Sequence, residues 1–199
     1  MDKEKIIAFF DRLAEGWDEE ATDDPAVINA ILDHAAIREG VSVLDVACGT
    51  GILFPYYLER KVARVTGVDI SPRMIARARE KFSDARIELV NADVEEALFP
   101  LPFDRCVVYN SFPHFSNPAR LIAALANQLV NGGRLTIAHG ESRAKIDRRH
   151  QNHASEVSRP LLPEDELAAL LEPSFAVDVI ISNEQMFVVS GTKKDTGRG

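Results

Sequence analysis

Val43-Leu44-Asp45-Val46-Ala47-Cys48-Gly49-Thr50-Gly51 is the stretch whose reading decides the fold. Val41, Val43, Leu44 and Val46 make a short apolar run of the kind that fills a strand covered on both faces of a parallel sheet. The run stops at a glycine pair. Gly49 and Gly51 allow a sharp turn and bring backbone N–H groups close to a ligand. Ile52 to Lys61 then has helical spacing, and a strand, a glycine turn and a helix in that order place a ligand at the carboxyl end of a sheet.

A second strand end follows. Val65-Thr66-Gly67-Val68 runs into Asp69, eighteen positions after Gly51, the offset at which an acidic side chain accepts both hydroxyls of a ribose. A dinucleotide site shares this geometry but needs a third small residue where Phe54 stands. A pyrophosphate also conflicts with Asp45, because a carboxylate under the loop repels phosphate and suits a cationic amino group. S-adenosylmethionine carries an ammonium, a sulfonium and a ribose but no phosphate, so these residues suit it better than NAD.

With these motifs placed, the chain resembles the class I SAM-dependent methyltransferase family. Asp45-Val46-Ala47-Cys48-Gly49-Thr50-Gly51 is similar to the family's first motif, with Ala47 where many members carry glycine. The resemblance implies that Asp69 binds ribose and that Ile70 and Met74 lie beside adenine. Asn91-Ala92-Asp93-Val94 resembles the segment in which an acid, here Asp93, accepts from the adenine amino group and the next N–H, here of Val94, reaches a ring nitrogen. Phe103 to Asn110 resembles the fourth strand, and Leu129 to Leu135 resembles the turn into the fifth. The cofactor set implied is Asp45, Ala47, Gly49, Gly51, Asp69, Ile70, Met74, Asp93, Val94 and Asn110, with S-adenosyl-L-homocysteine as product.

Three helix starts are marked by a capping residue before proline: Asp24-Pro25, Ser71-Pro72 and Asn117-Pro118. They predict helices from Pro25 to about Ile37, from Pro72 and from Pro118. Strands are expected near Val41, Val65, Arg86, Phe103 and Arg134. This alternation makes an α/β fold, a parallel sheet with helices on both faces. After His139 the regularity breaks until Pro163 to Leu171, a further helix. Ala176 to Ser182 and Gln185 to Thr192 read as two strands, the antiparallel pair that completes the family's doubly wound, mostly parallel seven-stranded Rossmann-like sheet.

The 199 residues suit one domain, 1–199, without a separate substrate module. Hydrophobic residues make up 46% and charged residues 27%, as in a soluble globular protein. Met1 to Lys5 leads into an amphipathic stretch rather than a signal core, and no apolar run spans a bilayer. A cytoplasmic location without membrane association is expected. Cys48 and Cys106 make neither a disulfide framework nor a zinc site. A formal charge of −8 counts against extended contact with a phosphate backbone, so nucleic acid is not the expected partner.

Ile6, Phe9, Phe10, Leu13 and Trp17 fall at helical spacing. Residues 1–20 therefore form either a docking helix or a lid, the latter placing Trp17 near the acceptor. Asn110-Ser111-Phe112-Pro113-His114-Phe115 follows the fourth strand, where family acceptors sit. It lacks the Asn/Asp-Pro-Pro-aromatic signature of many amino-methylating enzymes. His114 has three readings: general base, substrate contact or helix-approach residue. Phe112 joins it as a substrate candidate. Residues 140–162 form the variable segment, where His139, Arg143 and Arg149 are substrate candidates, with Lys145 and Arg148 nearby. The alternative reading of that basic cluster is a solvated helix face. His139, His150 and His153 are too loosely spaced to assign a metal. The expected activity is methyl transfer by in-line displacement to a small-molecule acceptor. The rivals are a protein or RNA methyltransferase and a SAM-binding protein without catalysis.

Overall fold

The computed structural model describes residues 2–19, 24–195 and 197, and of Asn152 and His153 the backbone alone. In chain order the elements are α1 (Lys3–Leu13), α2 (Pro25–His34), β1 (Ser42–Val46), α3 (Phe54–Glu59), β2 (Arg64–Asp69), α4 (Pro72–Lys81), β3 (Ile87–Asn91) and β4 (Phe103–Tyr109). A 3₁₀ turn (Phe112–His114) then leads to α5 (Pro118–Gln128), β5 (Leu129–His139), α6 (Arg143–His153), α7 (Glu164–Leu171), β6 (Phe175–Ser182) and β7 (Phe187–Lys193).

The strands form one seven-stranded sheet in the order β3-β2-β1-β4-β5-β7-β6. All neighbours are parallel except β7, which runs antiparallel to both β5 and β6. The chain winds outward from β1 to β3 and returns to β4 on the other side. This opens a crevice at the carboxyl ends of β1 and β4, where open α/β sheets bind ligands. Successive residues of β1 serve opposite faces: Val43 packs with Ile31, Leu32 and Ile75, while Leu44 and Val46 pack with Leu121, Leu125 and Leu167. A strand enclosed on both faces must be apolar at nearly every position, which is why it reads as a continuous run.

The three proline-marked helices start where their caps put them. Asp24 accepts from Ala26 N, Ser71 from Met74 N and Asn117 from Arg120 N. Some boundaries differ from the sequence reading. The first turn after β1 extends through Leu53, so α3 begins at Phe54 rather than Ile52, held by Gly51 N donating to Cys48 O at 2.9 Å and Phe54 N to Gly51 O at 3.1 Å. The second helix stops at His34, short of Ile37, because Ala36 turns into the left-handed region with φ +53°. The segment after His139 also holds a helix, α6. Its exposed positions are almost all polar and Ile146 is its main apolar anchor, so hydrophobic periodicity gave no signal. Among the described residues no helix is long and apolar enough to cross a membrane.

One ring fastens the first turn to the sheet. Phe54 is fully buried and meets Phe82 edge-on at 5.1 Å. A Cβ on Gly51 (φ +90°) would fall 2.5 Å from the Phe54 ring, and one on Gly67, in the middle of β2, would fall 2.6 Å from its tip. Both glycines leave room for the same side chain. Gly67→Ala is expected to cost about 1–3 kcal/mol in urea unfolding through overpacking. In the double variant with Phe54→Leu the loss should be smaller than the sum of the two single losses, since the smaller side chain vacates the contested space. Additive losses would mean that Phe54 is not what the glycine accommodates.

Candidate functional site

The loop after β1 departs from regular structure at once. Ala47 (φ +52°), Gly49 (φ +55°) and Gly51 all lie in the left-handed region. Glycine carries no steric penalty there, whereas Ala47 carries one of about 1 kcal/mol, which explains the small residue. Gly49 N donates to Asp69 Oδ2 at 2.9 Å and Ser71 N donates to Asp69 Oδ1 at 2.8 Å. The two strand ends are therefore joined through one carboxylate. Burial pushes the Asp69 carboxyl up to about 6 against those two donors, with a further upward push from Asp11. Each of its oxygens accepts from one backbone N–H and has acceptor capacity left for a ligand hydroxyl. A cis-diol matches that arrangement.

Asp69 lies on the wall of a cavity of about 590 Å³, within the range of small-molecule sites. Ala47 and Gly49 form its floor, Ile70 and Met74 one side, and Asp93 and Val94 the next. The end of β4 contributes Asn110 and Ser111, and His114 and Arg149 stand at the far end. Asn110 is also left-handed (φ +52°) and its Oδ1 accepts from Gly140 N at 3.0 Å, tying the ends of β4 and β5.

The roof is α1 with its continuation. Ile6, Phe9, Phe10, Leu13 and the half-exposed Trp17 face the cavity. Three polar ties hold this segment down. Lys3 forms an ion pair with Asp93 and another with Glu96 at 3.0 Å. Asp11 Oδ1 accepts from Ser71 Oγ at 2.6 Å and from Arg73 N at 3.2 Å. Asp18 accepts from Thr50 Oγ1 at 2.5 Å and Lys81 Nζ at 2.8 Å. Lys3 was absent from the candidates, and nothing local in Lys3-Glu4-Lys5 distinguishes it from a surface lysine.

Five candidates do not reach the wall. Asp45 sits inside β1 between Gly67 and Val107, 2% exposed, its carboxyl pushed well up by burial and by Asp69. The cavity begins two residues later, so Asp45 supports the loop from below instead of facing a cationic group. Gly51 is turned under the loop by the Phe54 and Phe82 rings. Phe112 is buried in the core with Leu121 and Leu161, while its neighbour Ser111 faces the cavity. His139 ends β5 at 1% exposure, edge-on to Phe187 at 6.3 Å. Arg143 opens α6, six residues before Arg149 and therefore about 120° away around the helix.

Three imidazoles nevertheless gather at the far end. His114 Nδ1 lies 2.9 Å from the carbonyl of Val157, and its ring is edge-on to Phe10 at 4.9 Å and to His150 at 5.1 Å. His150, on the cavity wall, has a buried Nδ1 with no hydrogen-bond partner among the described residues, as do both ring nitrogens of His139. Arg149 is paired with Glu141 at 2.6 Å. Among the described residues no group of three or more His, Cys, Asp or Glu is arranged to hold a metal ion. The side chain of His153, the third member of the loose metal pattern, lies outside them.

Burial lowers His114 to about 4, with His150 and Arg149 adding to it against the Val157 carbonyl, and burial with Arg149 lowers His150 to about 4. An unfolded imidazole takes its proton near pH 6.5, so these two contribute stability that is full above pH 6.5 and is lost as the pH falls toward 4. Asp69, raised to about 6, opposes them: its contribution is present below about pH 4 and lost as the pH rises through 6. Replacing His150 by Asn should flatten the acid-side loss between pH 6.5 and 4.5 in urea titrations by about 1 kcal/mol, the partly exposed ring being screened by solvent. An unchanged acid limb would show that His150 titrates normally in the fold.

Residues 43–133 match the family model described as a methyltransferase domain. The chain is 30% identical over 141 residues to malonyl-(acyl-carrier protein) O-methyltransferase of Acetivibrio thermocellus, covering 69% of this chain and 50% of that one. It is 29% identical over 175 residues to phosphatidylethanolamine N-methyltransferase of Cereibacter sphaeroides, covering 82% and 78%. It thus spans about half the length of the first relative. Among solved structures, a methyltransferase in complex with the Haloferax volcanii Trm112 methyltransferase activator superposes with a TM-score of 0.78 at 16% identity, over 94% of this chain and 98% of that one, which shows the shared fold. With the strand order, the glycine turn and the Asp69 tie already in place, these matches place the chain in the class I SAM-dependent methyltransferase family.

Proposed function

We propose that the chain transfers a methyl group from S-adenosylmethionine to a small-molecule acceptor by direct in-line displacement. The observation that carries this reading is a single roofed cavity with a diol-matching carboxylate at one end and a pair of imidazoles at the other. Asp69 would take the ribose hydroxyls, and Ile70 and Met74 would flank the adenine. The Asp93 carboxylate and the Val94 N–H would meet its edge, and Ala47, Gly49 and Asn110 would surround the amino-acid portion. When bound, the cofactor supplies an activated methyl on a good leaving group. The protein then has to align a nucleophile and keep water out.

The roof bears on the class of acceptor. Phe9, Phe10 and Trp17 close the cavity over the loop, which suits a compact molecule better than a protein or RNA segment. The acidic balance of the chain agrees. Under this reading the Lys3–Asp93 pair occupies the carboxylate that adenine would use, so the N-terminal segment, described over residues 2–19, acts as a lid whose first tie must yield or be shared on binding; Met1 and Glu20 of the expected 1–20 span lie outside the described residues. His114 is the candidate base, with Arg149 and Trp17 as acceptor contacts.

Calorimetric titration with S-adenosylmethionine and S-adenosylhomocysteine tests the reading. The intact chain should bind both in the micromolar range, and Asp69→Ala should weaken both by about a hundredfold, the loss of two hydrogen bonds to a charged acceptor. Absence of binding by the intact chain would overturn it.

A further inference from the structure

His114 and His150 come from separate elements, the 3₁₀ turn after β4 and α6, yet their rings meet at 5.1 Å on the cavity wall. A carbonyl oxygen can only accept, so the 2.9 Å contact to Val157 places the proton of neutral His114 on Nδ1 and leaves the lone pair on Nε2. The Phe10 ring fixes the imidazole from above at 4.9 Å. His150 Nδ1 is buried without a partner among the described residues, a cost that a bound group able to hydrogen-bond would remove. Ser111 Oγ, also on this wall, is likewise buried with no hydrogen-bond partner among the described residues.

From this geometry we propose, resting on the methyltransferase reading above, that His114 and His150 form the acceptor subsite for an acidic hydroxyl on a flat apolar molecule, so that the product is an O-methyl ether. The aromatic walls Phe10, Trp17 and Phe115 receive the flat body. His114 Nε2 takes the hydroxyl proton while the oxygen lone pair forms the new C–O bond. The C–S bond of the sulfonium breaks with its electron pair staying on sulfur, and the proton passes from His114 to solvent. His150 Nδ1 hydrogen-bonds the same oxygen or its neighbour and acts in positioning.

The chemistry of the pair favours a hydroxyl over an amine. A neutral amine attacks through a lone pair it already has, whereas a hydroxyl must give up its proton, and the Nε2 lone pair of His114 is placed to accept it. Arg149 on α6, His139 at the end of β5 and Glu141 lie nearest the pair, with Arg149 and Glu141 matched to each other, and Lys3, Asp69, Asp93 and Glu95 line the rest of the same cavity. The relatives do not decide the atom, since they include both O- and N-methyltransferases.

The test uses catechol, 4-nitrocatechol and benzylamine with the intact chain, and with His114→Asn and His150→Asn after both are shown to bind S-adenosylhomocysteine as the intact chain does. The catechols should be methylated on oxygen and benzylamine should not. His114→Asn should lower kcat at least about a hundredfold with KM little changed, and His150→Asn should act mainly on KM. A second readout needs no turnover: calorimetry at pH 8 in buffers of different ionisation enthalpy, with 4-nitrocatechol added to the S-adenosylhomocysteine complex. Binding of this anion should take up about one proton in the intact chain and far less in His114→Asn. Preference for benzylamine overturns the proposal. So does proton uptake that is indifferent to His114, or failure of a chain that binds S-adenosylhomocysteine to bind either catechol. A chain that binds no S-adenosylhomocysteine fails the methyltransferase reading instead, a separate result.

Discussion

The Asp69 carboxylate, held by Gly49 N–H on one oxygen and Ser71 N–H on the other, is the constraint on which the ligand end of the molecule depends. It ties the loop after β1 to the loop after β2. Ser71 then caps α4 through Met74 N and receives α1 through Asp11. One carboxylate thus sets the height of the floor, the start of a helix and, at one remove, the seat of the roof. The sheet beneath makes this affordable. Val46 and Val68 are adjacent in register and fully buried, so the strand ends are rigid before the loops begin, and the residues in left-handed backbone are carried by neighbours that do not move.

How much of this was legible in the sequence depended on the range of the interaction involved. Caps act over three residues and strands are read from runs of five, so Ser71-Pro72 and Val43 to Val46 were sufficient for their elements. The carboxylate at the end of β2 was legible because strand and turn fix its position without reference to anything distant. The misplaced residues failed for a different reason. Asp45 has the right chemistry but lies two residues too deep, and alternation along a strand gives the face of a side chain without its depth relative to the loop. Phe112 was a candidate through its place after the fourth strand, but the turn after β4 gives the cavity to Ser111 and the core to Phe112. Lys3 meets Asp93 across ninety positions, and α6 lacks the apolar stripe that announces a helix.

An acidic chain has used its carboxylates to fasten a roof over its own cavity. Asp11, Asp18, Asp93 and Glu96 all hold the N-terminal segment or receive it. Each tie is partly exposed, so each contributes only about 0–1 kcal/mol and weakens with salt. The apolar side chains beneath, from Ile6 to Leu13, contribute more by burial. Such a roof is seated by its greasy face and registered by its polar ones.

The costs in this structure are concentrated where ligands would enter. Ala47 and Asn110 take left-handed backbone, Asp69 is a buried carboxylate raised in pKa, and His139 and His150 carry nitrogens without a hydrogen-bond partner among the described residues. Nearly all of them lie on the carboxyl side of the sheet, around one cavity. The opposite directions of the Asp69 and histidine shifts have one cause, since burial penalises charge of either sign. A wall built this way would suit a ligand that brings hydroxyl donors to Asp69 and an acidic group to the imidazoles. Each group would then recover in the complex what burial costs it in the empty fold. Stability lost at the site becomes selectivity for what fills it.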